Sequence, residues 1–100
     1  MGKTEEFDCE HTAREIVLDA FSQHTGATVS AEEKLGEIGL DSLEKTELLI
    51  ELSDSCDHAL QQVFPDPPEI ELDDTAYQRA GTVADLIQMV ADRLRQAITA

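Results

Sequence analysis

The stretch LGEIGLDSLEKTELLIEL, residues 35–52, turns from a glycine-punctuated loop into a strongly patterned helix at Ser42. Short oxygen-bearing side chains favour helix starts because they accept hydrogen bonds from the free N–H groups of the first turn, and both Asp41 and Ser42 qualify. Beyond that point Glu44, Glu47, Glu51, Asp54 and His58 recur at three- and four-residue steps on one face. Leu48, Leu49, Leu52, Cys56 and Leu60 share a broad apolar face, so one side of the helix meets water and the other a core. Leu43, Thr46 and Ile50 form a third stripe at the border. It is too apolar for a purely solvated edge and too close to the acids for the core centre, which suits contact with a partner.

Length and composition bound what this helix can belong to. One hundred residues make one modest core and not two. With no Trp, 4% aromatic residues and three Pro, burial rests on Leu, Ile, Val and Ala in helices, which excludes a β-sandwich reading. The 22 acidic against 7 basic residues give a formal charge of −15, so nucleic acid and anionic membranes are repelled and basic protein surfaces are the natural partners. No apolar run approaches the roughly 20 residues of a membrane span. The opening MGKTEEFDCE lacks the apolar segment of a signal peptide, so a cytoplasmic protein is expected. Cys9 and Cys56 are too few for a disulfide framework and are expected as free thiols.

The rest of the chain supplies the helix's neighbours. Residues 1–10 are charged, carry a lone Phe7, and are expected as a flexible lead-in to a single domain spanning 11–100. Thr12 and Glu15 have capping-box spacing, and Ala13, Ile16, Val17, Ala20 and Phe21 trace one face until Gly26 stops the first helix. Residues 26–41 then form a long loop, tacked to a core by Val29, Leu35, Ile38 and Leu40. The second helix starts at Ser42 and continues in register through Cys56, Ala59, Leu60 and Val63. Ser53, Asp54 and Ser55 are nonetheless good caps, so either one long helix or a broken pair is open until Pro65, Pro67 and Pro68 close the region. A short helix is expected over Asp73–Arg79, with Ala76, Tyr77 and Ala80 inward, ended by Gly81. Thr82 and Asp85 repeat the capping-box spacing, and Val83, Leu86, Ile87, Val90, Leu94 and Ile98 carry the last long helix nearly to the end. The pattern is all-α: three long helices and one short one, a long loop after the first, and an extended connection before the third.

A hydroxyl at a helix start is a good place for a phosphate, because unpaired N–H groups and the positive end of the helix dipole favour an anion there. Here the segment resembles a known family. L-x-x-I-G-L-D-S-L, which is Leu35, Ile38, Gly39, Leu40, Asp41, Ser42 and Leu43, looks like the attachment motif of acyl carrier proteins, and the helix order fits the same four-helix bundle. The resemblance covers roughly residues 12–98, and it is strong from Leu35 to Leu52. It implies a carrier that is not itself an enzyme and is expected as a monomer. A phosphopantetheinyl transferase would place 4′-phosphopantetheine from coenzyme A on Ser42 with the help of Mg²⁺, and acyl groups would ride on the arm's thiol as thioesters, for fatty-acid, lipid or polyketide-type biosynthesis. It also implies that Asp41, Glu44, Glu47 and Glu51, with Leu43, Thr46 and Ile50 beside them, meet basic patches on acyl-loading and acyl-processing enzymes. Ser53 stands before Asp54 where further acids are common in the family. The connection SDSCDHALQQVFPDPPEIEL, residues 53–72, is about a dozen residues longer than usual, which implies a specialised member.

Other chemistries fit less well. No histidine lies near Ser42 in sequence to act as a base, and the G-x-S-x-G turn of hydrolases is absent. Cys9-x-His11 and Cys56-x-His58 suggest a four-ligand zinc site, but a two-residue step on a helix points side chains about 200° apart. No calcium loop of the D-x-D-x-D-G kind is present, so no metal is expected. A peptidyl or aminoacyl carrier is the nearest alternative, although Leu40-Asp41 before the serine looks more like acyl carriers. An acidic helical adaptor, with Ser42 unmodified or phosphorylated by a kinase, is the alternative from a different class.

Overall fold

The computed structural model describes residues 8–26, 28–62, 70, 72 and 74–99. Within them the chain forms five helices: α1 (Cys9–Thr25), α2 (Leu35–Ile38), α3 (Ser42–Gln61), α4 (Asp74–Arg79) and α5 (Val83–Thr99). No strand occurs among the described residues; the nearest approach is an isolated antiparallel bridge between Lys34 and Thr82. No described helix is long and apolar enough to cross a membrane.

The first helix begins a turn earlier than the Thr12–Glu15 spacing predicts. Asp8 is its cap, its carboxylate accepting the His11 N–H at 3.1 Å and its carbonyl accepting the Thr12 N–H at 2.9 Å. Positions 8–10 of the expected lead-in therefore sit in the cap and first turn, whereas Phe7 lies outside the described residues. Gly26, at φ 74°, ends the helix in the left-handed conformation that glycine adopts without a Cβ clash, its N–H returning to the Ser22 carbonyl at 2.8 Å.

The loop after α1 is not structureless, because Leu35–Ile38 forms the short α2 that brings the helix count to five, with Gly39 at φ 83° ending it. The loop is also tied to the start of α5. Val83 N–H donates to the Glu33 carbonyl at 2.9 Å, Ala84 N–H to the Ala31 carbonyl at 2.8 Å, and Leu35 N–H to the Gly81 carbonyl at 3.1 Å. First-turn amides lack partners within their own helix, and here the loop supplies them. The expected Thr82–Asp85 capping box is present: Thr82 N–H donates to the Asp85 carboxylate and Asp85 N–H to the Thr82 hydroxyl, each at 3.2 Å. Val29 and Leu35 are buried, and Ile38 and Leu40 pack against the core at its edge.

The choice between one long helix and a broken pair falls to the long one, because α3 runs unbroken to Gln61. Ser53 does not cap. Its hydroxyl accepts the Leu72 N–H at 3.3 Å, while Cys56 and Leu60 are fully buried. Residues 53–61 of the extended connection are therefore structural helix; Pro65, Pro67 and Pro68 lie outside the described residues, and Ile70 and Leu72 return as buried core. Asp73, where the short helix is expected to start, also falls outside, and α4 begins at Asp74.

Phe21, Leu48, Leu52, Leu60, Leu86, Leu94, Val17, Val83 and Val90 are the large side chains wholly removed from water. Each such aliphatic side chain contributes about 1.5–3 kcal/mol by leaving water, so these positions and not surface pairs hold the bundle. α1 packs most extensively on α5 and next on α3, and α4 leans on α3 and α5. The expected inward faces hold: Ala76, Tyr77 and Ala80 are buried, as are Val83, Leu86, Ile87, Val90 and Leu94, with Ile98 packed at the edge.

Candidate functional site

The start of α3 is built by its own neighbours in sequence. Gly39 turns the chain out of α2, and Asp41 then takes an extended conformation, φ −81° and ψ 178°, as the helix cap. A reciprocal capping box closes the junction. Glu44 N–H donates to the Asp41 carboxylate at 2.8 Å, and Asp41 N–H donates to the Glu44 carboxylate at 3.2 Å. Of the two residues able to cap, Asp41 takes the role and Ser42 becomes the first helical residue, exposed to solvent. Its hydroxyl is thus released from capping. The Asp41 carboxylate already meets the positive helix end, however, so the dipole's usual 0.3–1 kcal/mol for a nearby anion is partly taken.

Around Ser42 the stripe of Leu43, Thr46 and Ile50 is exposed. Leu43 and Ile50 are the large apolar side chains left in water, 67% and 57% exposed. Thr46 is exposed, but its hydroxyl turns back on its own helix and donates to the Ser42 carbonyl at 3.0 Å. The acids divide by role. Glu47 is exposed, Glu44 is half-buried and held in the capping box, and Glu51 lies 3.4 Å from His24 on α1. These seven positions and Ser42 share the first ten residues of α3 and its cap, with Glu51 the one turned toward another helix.

One element of the site is not among the residues that sequence reasoning selects. A cleft of about 120 Å³ lies against Ser42, lined by Lys45 and Thr46 of α3 and Tyr77 and Gln78 of α4. Tyr77 is 5% exposed, and its hydroxyl is buried without a hydrogen-bond partner among the described residues. Burial raises its pKa above the ordinary tyrosine value, so the group is a proton donor at neutral pH. The Lys45 ammonium stands 5.5 Å from the centre of the Tyr77 ring, within cation–π range. The signal available in sequence was Lys45, the single Lys or Arg of α3 and one turn beyond Ser42. A separate, larger groove of about 580 Å³ runs along α1 past Ile16 and Leu18 to Ser55, and shares none of its described residues with the cleft.

The cysteine–histidine pairs do not converge through α3. Cys56 is fully buried and His58 exposed on the same unbroken helix. Burial, with the Asp57 charge beside it, pushes the Cys56 thiol up to about 12. No cluster of metal-ligating side chains occurs among the described residues. No family model, curated protein or solved structure matches the chain.

Proposed function

We propose that this chain is a carrier of the acyl carrier kind: a monomeric, cytoplasmic helical bundle, not itself an enzyme, bearing 4′-phosphopantetheine on the Ser42 oxygen. The observation that carries the reading is Ser42 itself, exposed at the first position of a long helix whose start Asp41 has already closed. A serine needed as the cap would have its oxygen engaged, and this one does not. A cleft beside Ser42, lined by Lys45, Thr46, Tyr77 and Gln78 among the described residues, leaves room next to the oxygen for a phosphate.

The reading assigns each residue a part. Ser42 provides the attachment oxygen, and Asp41 with Glu44 fixes the turn that presents it. Leu43 and Ile50 supply apolar contact to a visiting enzyme, with Thr46 between them, while Glu47 and Glu51 attract basic surfaces. The prosthetic group supplies a terminal thiol on which acyl groups are held as thioesters. Reach explains the need for an arm: with a radius of gyration of 13.3 Å, the domain cannot carry one of its own side chains into another enzyme's buried site. Partners that take turns require contacts that form and release quickly, and charge-steered polar docking with a small apolar stripe does that.

The test is intact mass after incubation with coenzyme A, Mg²⁺ and a broad phosphopantetheinyl transferase. A pantetheine-sized gain abolished by Ser42→Ala is expected; no gain overturns the reading in favour of an acidic adaptor. Loading with acyl against aminoacyl donors then separates an acyl carrier from a peptidyl one.

A further inference from the structure

We draw no further inference here: the strongest candidate, the groove of about 580 Å³ that runs along α1 past Ile16 and Leu18 to Ser55 of α3, carries none because nothing in the structure shows what covers it.

Discussion

His24 Nε2 lies 3.4 Å from Glu51 Oε2, which ties the last turn of α1 to the middle of α3. Both atoms are buried, and neither has a well-aligned hydrogen-bond partner among the described residues. Glu51 is thus half committed to the fold, whereas Glu47 projects freely. With the Glu51 side chain 42% exposed, solvent screens the pair, and Glu51→Ala is expected to cost only about 0.5–1 kcal/mol of stability. Glu47→Ala stays within about 0.5 kcal/mol of the parent. Urea unfolding of the two variants checks the difference. It matters for docking experiments, because a rate lost in Glu47→Ala reports on a partner, and one lost in Glu51→Ala mixes docking with a loosened α1.

Leu43 and Ile50 provide the complementary contrast. At 67% and 57% exposure they contribute little to the core, so Leu43→Ala and Ile50→Ala leave the unfolding midpoint nearly unchanged while lowering transferase kcat/KM several-fold. Leu52, two residues from Ile50 and wholly buried, behaves in the opposite way: Leu52→Ala costs about 2–5 kcal/mol through lost burial and the cavity left behind. If Ile50→Ala unfolds as easily as Leu52→Ala, the border stripe is core and not a docking surface.

These contrasts show where a single sequence is enough to read the fold and where it is not. The faces of α3 and α5 were legible because their apolar residues recur at helical spacing over many turns, and burial follows that period. α2 was hidden because Leu35–Ile38 is shorter than any window in which periodicity can be seen. The start of α1 was misplaced because Asp8 caps without an acidic partner three residues on, while Thr12–Glu15 offers the familiar spacing inside the helix. At Ser53-Asp54-Ser55 local preference favours a break, and burial of Leu52 before it and of Cys56 and Leu60 after it, on one face of a continuous helix, overrides it. The place of Ser42 at the start of α3 was legible from its immediate neighbours. The cleft beside it was not, since it depends on Lys45 meeting Tyr77 from a different helix, a contact fixed by packing alone.

Cys56 makes stability sensitive to alkaline pH. Its thiol is held protonated in the fold up to about 12, against 9.0 for the free group. Above pH 9 the unfolded chain ionises there and the folded one does not, so the folded state binds more protons and stability falls as pH rises from 9 toward 12. Tyr77, raised in the same direction by burial, adds to the trend above its own ordinary value of 10.0. The urea midpoint is therefore expected to decline over that window, and less steeply in Cys56→Ala, although that variant starts lower for want of the side chain. The same burial keeps the thiol unreactive. With the side chain wholly buried and its ionisation pushed up, Cys56 is expected to alkylate slowly in the folded chain.

Ser53 is the described link between the long helix and the segment that returns to the core. Its hydroxyl accepts the Leu72 N–H at 3.3 Å, across nineteen positions of sequence, and Leu72 itself is buried. Removing the oxygen leaves that amide short of its acceptor, which costs about 1–3 kcal/mol where water cannot replace it. Ser53→Ala is therefore expected to lose about 1 kcal/mol, or roughly 4–8 °C in melting temperature for a domain of this size. Ser53→Ala is a milder probe than deleting the connection, because residues up to Gln61 belong to α3 and carry Cys56 and Leu60 in the core. Amide hydrogen exchange at Leu72 gives the direct reading: it should accelerate in Ser53→Ala more than the amides of α5 do, and equal acceleration throughout would mean that Ser53 serves the helix alone and anchors nothing.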